Sequence, residues 1–289
     1  MKKNILITGS NGQLGSEIRS VSAYYQKTYN FIFTDVAELD ITNIEHLRRF
    51  LQDTNIEFVV NCAAYTAVDR AEDDVQMCYK INRDAVKNLA ECSALHNINI
   101  IHISTDYVFD GKTYLPYTEE MTVSPASVYG KSKVEGEIIL QKKCPNAVII
   151  RTSWLYSSYG NNFVKTMLKL GKERESLNVI VDQTGTPTYA ADLADVIMQI
   201  IDSKEFIGGI YHFSNEGAIS WYDFAKAIHR IAKTTCKINP IETKDYPARA
   251  PRPHYSVLNK SKLKQTYKIE IPYWEDSLQA CISKLQNQR

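Results

Sequence analysis

Tyr129 and Lys133 stand four residues apart in Ser127-Val128-Tyr129-Gly130-Lys131-Ser132-Lys133, and on a helix that spacing presents a phenol and an ammonium to one pocket. Such a pair is suited to proton transfer. A phenol ordinarily titrates near about pH 10, and an adjacent ammonium is expected to lower that value by stabilising the phenolate. A second pair with the same spacing occurs at Tyr222 and Lys226, so the spacing alone selects neither. The surroundings must choose.

Stepping along the chain, the apolar run Ile5-Leu6-Ile7 predicts a buried strand that enters Gly9-Ser10-Asn11-Gly12-Gln13-Leu14-Gly15. An amphipathic helix follows, with Leu14, Ile18 and Val21 on one side. Glycines at the first, fourth and seventh places allow a tight turn, close approach of backbone N–H groups to a diphosphate, and helix packing against the strand. A plain strand-to-helix turn uses the same glycines. Against that reading, the next strand, Phe31-Ile32-Phe33-Thr34, ends in Asp35, twenty residues beyond Gly15, where an acid can bond the ribose hydroxyls of NAD. A carboxylate there disfavours a 2′-phosphate, although Arg19 is a base near enough to be reached by one. Strand and helix keep alternating: Phe58-Val59-Val60-Asn61 runs into small Cys62-Ala63-Ala64, a helix is predicted from Val75 to His96, and Ile100-Ile101-His102-Ile103 ends in Ser104-Thr105-Asp106. The pattern is that of an α/β protein with a doubly wound parallel sheet. In such sheets ligands lie beyond the carboxyl ends of the strands, so Gly9, Asp35, Ala63 and Thr105 should converge, with Tyr129 beside Thr105. Nothing comparable frames Tyr222, whose segment follows Ser220 and reads as an ordinary N-capped helix.

Composition narrows the partners. A net charge of +1 over 289 residues, with both signs interspersed, offers no basic field for nucleic acid or an anionic membrane, and a small molecule is the better ligand class. The six cysteines have no C-x-x-C spacing and are expected to be reduced, buried thiols in a cytoplasmic protein. No apolar run approaches a membrane span, and the N-terminus lacks a signal-peptide pattern. The six histidines lack paired ligand spacing, and His102 in an apolar strand reads as a satisfied core residue, so no metal ligands are assigned. Acid pairs such as Asp73-Asp74 and Glu119-Glu120 read as solvated surface. Helices are predicted over about 162–170 and 191–201, with a strand at Val179-Ile180-Val181 between them. Residues 244–255 carry Pro247, Pro251 and Pro253 with Arg249 and Arg252, which predicts an extended loop. Its arginines either clamp a diphosphate or are incidental charges on a solvated loop.

The glycine loop, Ser104-Thr105-Asp106-Tyr107-Val108-Phe109, and Val128-Tyr129-Gly130-Lys131-Ser132-Lys133 together resemble the extended short-chain dehydrogenase/reductase family. Further strings carry the resemblance across nearly the whole chain, among them Asn61 to Asp69, Arg151-Thr152-Ser153-Trp154, Gly160 to Val164, Asp182 to Thr188 and Arg252-Pro253-His254. Ser10-Asn11 departs from the family's usual loop without adding bulk. The resemblance implies a Rossmann-type cofactor domain over 1–155, with segments near 180–214 returning to it, and a smaller α/β lobe over 156–289 for a sugar nucleotide. It implies NADPH or NADH as cofactor, held by Gly9, Asn11, Gly12, Gln13 and Leu14 at the diphosphate, Asp35 at the ribose, Asp40 and Ile41 near the adenine, and Ala63, Ala64, Tyr65 and Thr66 along the rest. Thr105, Tyr129 and Lys133 would be catalytic. Thr105, Asp106, Val68, Trp154 and Arg252 would meet a dTDP-sugar. Trp154 has a second reading, as core between the lobes. Mg²⁺ occurs in the family, but no ligand set here supports it, and a monomer or a homodimer is expected.

The implied activity is reduction of the C4 keto group of a dTDP-deoxysugar, the last step of dTDP-L-rhamnose synthesis. Two alternatives share the fold. A dehydratase would carry Glu directly after the Thr-Asp pair, where Tyr107 stands, which disfavours elimination and leaves epimerisation open. The other is a non-catalytic binding module like the regulatory subunit of methionine adenosyltransferase; an intact Thr105, Tyr129 and Lys133 set weighs against it.

Overall fold

The computed structural model describes residues 2–287. In the first half, strands and helices alternate as β1 (Lys3–Thr8), α1 (Gln13–Tyr25), β2 (Tyr29–Phe33), α2 (Ile44–Thr54), β3 (Ile56–Asn61), the short α3 (Val68–Ala71) and α4 (Val75–Tyr79), α5 (Ala85–His96), β4 (Asn99–Thr105), α6 (Val128–Lys143) and β5 (Val148–Thr152). Then follow β6 (Leu155–Tyr156), α7 (Phe163–Glu173), β7 (Ser176–Ile180), β8 (Thr184–Gly185), β9 (Thr188–Tyr189), α8 (Ala190–Ile201), β10 (Gly209–His212), β11 (Ile219–Ser220), α9 (Trp221–Ile231), β12 (Lys237–Ile241), α10 (Ser261–Tyr267) and α11 (Trp274–Asn287).

The large sheet has six parallel strands in the order β10-β5-β4-β3-β1-β2. Its central strands are continuous apolar runs because both faces are covered. On one face Ile5, Ile7, Val60 and Ile150 pack with α1 and α8; on the other Leu6, Val59 and Ile149 pack with residues of α2 and α5. Strand order reverses at β1, which lies between β2 and β3, so the crevice beyond its carboxyl end is the expected ligand position.

Of the later segments, α8 and β10 join the large sheet, where Ile210 and Tyr211 pair with Ile149 and Ile150. The stretch just before them belongs elsewhere. β7 pairs with β12, β8 with β11 and β9 with β6, in three two-stranded sheets around a separate core of Tyr156, Val164, Phe224, Ile228, Trp274 and Leu278. β7 also ends at Ile180, one residue short of the predicted strand end.

The helix predicted from Val75 to His96 is interrupted. Residues Lys80–Asp84 form a π-helical turn between α4 and α5. Its extra residue turns the Asn82 side chain inward, where Oδ1 accepts from the Tyr65 N–H at 2.9 Å and Nδ2 donates to the Tyr65 carbonyl at 3.1 Å and to Ser132 Oγ at 3.0 Å. The bulge therefore braces the loop after β3 against α6. Residues 244–255 are largely extended as predicted, apart from a 3₁₀ turn at Thr243–Asp245.

Candidate active site

Two close approaches build the crevice. Gly9 lies in the left-handed region at φ 61°, and a Cβ there would fall 2.7 Å from the Ala63 backbone, so only glycine lets the β1 turn touch the loop after β3. Gly130 sits so close to the Tyr107 carbonyl that α6 begins directly against the turn after β4. Ser127 caps α6 by accepting from the Gly130 N–H at 3.1 Å, and Glu72 Oε1 accepts from the Val128 N–H at 2.9 Å. These contacts fix the first turn of α6, and Tyr129 with it.

Tyr129 is buried beside Tyr65, Val68, Tyr107 and Cys78, with the Tyr107 ring edge-on at 5.6 Å. Burial raises the phenol well above its usual value, with the Thr105 hydroxyl opposing the rise. This corrects the expectation that Lys133 lowers it. The Lys133 amine turns away, donating to the Ile103 carbonyl at 2.6 Å and lying 3.2 Å from His102 Nε2, and burial brings its pKa down to about 8. Thr105 Oγ1 donates to Asp106 Oδ1 at 3.0 Å and accepts from the Tyr107 N–H at 3.2 Å. Asp106 is fully buried, and burial lifts its carboxyl to about 6, with the Ser256 and Thr105 hydroxyls opposing the rise.

The glycine loop opens onto the crevice. Asn11 and Gly12 are exposed, and the Asn11 N–H donates to Asp35 Oδ2 at 3.1 Å. The half-buried Asp35 also accepts from the Val36 N–H at 2.8 Å, while the Arg19 guanidinium lies 4.0 Å from the Phe33 ring centre and donates to Ser10 Oγ at 3.2 Å. Ala63, Ala64 and Tyr65 are half-buried and Thr66 is exposed. Leu14 and Ile41 send their side chains into the two cores, which leaves only their backbones for a ligand. Asp40 Oδ1 is engaged with the Thr42 N–H at 2.9 Å. Gln13 Oε1 accepts from Asn162 Nδ2 at 3.0 Å, tying the loop to the second lobe.

The remaining residues divide into two groups. Arg252 Nη2 donates to Asp69 Oδ2 at 2.6 Å, and the neighbouring Ala250 N–H to Asp69 Oδ1 at 3.0 Å, so the proline-rich loop is moored to α3 beside Val68. Burial pushes the Asp69 carboxyl up, but these bonds more than offset it and hold the carboxyl low. Arg249 pairs with Asp73. Trp154, at φ 47°, is stacked on Trp221 at 3.7 Å between ring centres, with the planes 14° apart. One indole face is thus taken by the aromatic cluster of the second lobe. Trp221 also lines a cavity of about 660 Å³, together with Phe163, Arg174, Gln183, Tyr246 and Arg252. Arg252 thus links this cavity to Asp69 of α3.

Several residues that shape the site carried no local signal. Asn82, Glu72 and Trp221 act through contacts with distant segments. Tyr222 is half-buried and Lys226 exposed on α9, whose N-terminus has a capping box between Ser220 and Asp223. Their pair is ordinary helix surface. All six cysteines are free and none is exposed. Among the described residues, no group of three or more His, Cys, Asp and Glu side chains is placed to hold a metal ion, and no helix is long and apolar enough to cross a membrane.

Known proteins resemble this chain in sequence and in fold. The family described as RmlD substrate binding domain matches residues 1–287. A dTDP-4-dehydrorhamnose reductase of Aggregatibacter actinomycetemcomitans is 42% identical over 285 residues, covering 95% of this chain and 96% of its own. One from Escherichia coli K12 is 37% identical, with 98% of both chains covered. Among solved structures, a dTDP-4-dehydrorhamnose reductase from Clostridium acetobutylicum superposes with a TM-score of 0.94 at 45% identity, covering 98% of this chain and 99% of its own. Another from Bacillus anthracis, in complex with NADP, has a TM-score of 0.94 at 39% identity, covering 98% and 100%. A dTDP-glucose 4,6-dehydratase from Bacillus anthracis, at 20% identity and a TM-score of 0.82, shares the fold alone. With its sheet, its glycine loop and its Thr105, Tyr129 and Lys133 all lying inside a match that runs from residue 1 to residue 287, the chain belongs to the RmlD substrate binding domain family.

Proposed function

We propose that this protein reduces the C4 keto group of dTDP-4-dehydro-6-deoxy-L-mannose to give dTDP-L-rhamnose, with NADPH or NADH as reductant. The observation that carries the reading is the meeting of Tyr129 and Thr105 at the carboxyl end of β4, with Lys133 one helical turn on and bonded to the Ile103 carbonyl, beside a glycine loop open to a diphosphate. The relatives named above as dTDP-4-dehydrorhamnose reductases, one of them solved with NADP, support the substrate and the cofactor.

The residues present fit a dinucleotide. Gly9 and Gly12 leave the β1 turn without side-chain bulk, and the exposed Asn11 and Gly12 place backbone beside it. Asp35 would hold the adenosine ribose, with Ala63, Ala64, Tyr65 and Thr66 along the remainder. The bound nicotinamide supplies the hydride. Tyr129 supplies the proton: burial keeps its phenol protonated at neutral pH, and a carbonyl oxygen gaining negative charge is basic enough to take that proton. Thr105 is placed to share the same oxygen once its hydroxyl leaves Asp106, and the Asp106 carboxylate that loses this bond would turn to a sugar hydroxyl. In the second lobe, the cavity of about 660 Å³ has the size of a small-molecule site, with Trp221 for a base and Arg174 and Arg252 for a diphosphate. Residues 1–155 with α8 and β10 thus serve the cofactor, and the rest of the chain chiefly the sugar nucleotide. Trp154 would act through Trp221, on which it is stacked.

The test is to mix the protein with NADPH or NADH and dTDP-4-dehydro-6-deoxy-L-mannose and follow the reduced nicotinamide. Stoichiometric oxidation with dTDP-L-rhamnose as product is expected; sugar interconversion without net oxidation would indicate an epimerase, and no reaction a binding module. Asp35 after β2, with Arg19 over the Phe33 ring of that strand, should make both cofactors usable, and Asp35→Ala should shift kcat/KM toward NADPH by removing a carboxylate that repels the 2′-phosphate. A ratio unchanged by Asp35→Ala would mean that Asp35 does not face the ribose.

A further inference from the structure

Thr8, Asn61 and His102 occupy one row across three neighbouring strands: Thr8 is paired in register with Asn61, and Asn61 with His102. All three are buried, and their side chains form a chain of hydrogen bonds that ends at Lys133. The donors and acceptors in it can be assigned one by one. The Ala63 backbone N–H lies 3.2 Å from Asn61 Oδ1, and a backbone N–H only donates, so that atom must be the oxygen. Thr8 Oγ1, at 2.7 Å, donates to the same oxygen. Asn61 Nδ2 is therefore left facing His102 Nδ1 at 2.9 Å, and since an amide NH₂ only donates, Nδ1 must accept. A neutral imidazole with an accepting Nδ1 carries its proton on Nε2. That N–H is directed at Lys133 Nζ, 3.2 Å away. An ammonium has no lone pair to receive it; a free amine has one, and keeps N–H groups for the Ile103 carbonyl at 2.6 Å.

From this chain of bonds we infer that His102, its tautomer locked by Asn61, is a positioning residue that opposes the charging of Lys133 in the cofactor-free protein and helps set the pH at which it becomes charged. The inference deepens the proposed reductase reading, in which Lys133 serves the nicotinamide ribose and Tyr129. Charging Lys133 requires the Nε2 proton to be out of its way. The ring must then carry its proton on Nδ1, and the Asn61 amide must turn over, which sets its NH₂ against the Ala63 N–H. Lys133 ionisation is thereby coupled to the turn Asn61–Ala63 that faces the glycine loop.

The other groups around Lys133 do not replace this control. Glu137, on the same helix, favours the ammonium but is occupied by Arg151, with both side chains only 3% exposed. Cys78, from α4, also favours it slightly, and its own thiol is raised by burial. Burial itself is the main force against the charge, and His102 is in turn held well below its normal value by burial and by Lys133, consistent with a neutral ring.

Nitrogen-15 NMR of the histidine rings in the cofactor-free protein tests the assignment directly. Above about pH 9, where Lys133 has lost its proton, the expected result is His102 protonated on Nε2 and bare on Nδ1; a proton on Nδ1 there would overturn it. Carbon-13 NMR of the lysine Cε then follows Lys133 through a pH titration. In His102→Asn, whose amide oxygen can accept from an ammonium, the midpoint should rise by about one pH unit or more, a tenfold change in the proton-binding constant. An unmoved midpoint in a folded variant would show that burial alone sets Lys133. Should His102→Asn fail to fold, the tautomer in the unaltered protein decides by itself. Adding the cofactor and repeating the turnover assay should show the same displacement in the pH profile of kcat for the folded variant, with KM for the sugar little changed. Failure of the reductase reading would appear instead as absent turnover with the NMR result intact.

Discussion

At the scale of single residues, two titratable groups at the carboxyl end of β4, Tyr129 and Asp106, have both been shifted by burial, and each shift has a measurable consequence. Tyr129 is kept protonated in a pocket of Tyr65, Val68 and Tyr107. Tyr129→Phe should lower kcat by roughly 10²–10⁴ fold while leaving cofactor affinity nearly unchanged, whereas Tyr222→Phe should do little. Steady-state kinetics with a fluorescence titration of NADPH would show both; a substantially active Tyr129→Phe protein would remove the phenol from the mechanism. Asp106 is the second case. Its carboxyl is raised from 3.8 to about 6 in the folded protein, so its contribution to stability is fully present below pH 3.8 and lost as pH rises through about 6. The rise corresponds to about 3 kcal/mol at neutral pH. Asp106→Asn should therefore unfold at higher urea concentration than the unaltered protein above pH 6, with the difference fading below pH 4, and should bind the sugar nucleotide more weakly. Equal midpoints at neutral pH would mean that the carboxylate is better solvated than its burial implies.

At the scale of elements, α6 must be held at a fixed height over β4 and β5 if Tyr129 and Lys133 are to reach the ends of the strands. The Glu137–Arg151 ion pair does this, with Arg151 Nη2 at 2.7 Å from Glu137 Oε2 and Nε at 3.0 Å from Oε1. Removing one partner of a buried pair strands the other. Arg151→Met should cost about 3–5 kcal/mol in urea unfolding, and adding Glu137→Leu should recover most of it. A single variant as stable as the unaltered protein would mean that water reaches Glu137. The π turn at Lys80–Asp84 is the other element-scale device. Helical periodicity predicted one helix there, and the backbone adds a residue so that Asn82 can bond both α6 and the loop at Tyr65.

At the scale of the whole molecule, the lobes are joined by polar bridges as well as by the shared chain. Glu17 of α1 is buried, accepting from Ser157 Oγ at 2.6 Å and from Lys284 Nζ of α11 at 2.8 Å, while Gln13 holds Asn162. β10, reached only after the chain has built part of the second lobe, completes the large sheet. The two lobes should consequently unfold together. Trp154, Trp221 and Trp274 all pack in or on the second core, so their fluorescence reports that lobe, while far-UV circular dichroism reports both. Coincident urea midpoints by the two probes are expected; separated midpoints would show lobes that unfold independently.

The doubly wound sheet and the chemistry of its crevice were legible in the sequence because they rest on short-range patterns. Apolar runs mark β1, β3, β4 and β5, glycine spacing marks the turn after β1, and the four-residue interval between Tyr129 and Lys133 is a property of any helix. Ser220 before its helix was legible for the same reason, as a local cap. What only the tertiary structure decided are pairings through space. Lys133 turns to His102, 31 residues away; Arg252 is committed to Asp69, 183 residues away; and Trp154 lies on Trp221. Whether a phenol is lowered by an ammonium or raised by burial depends on which groups the fold brings within a few ångströms, and no spacing within one helix contains that information.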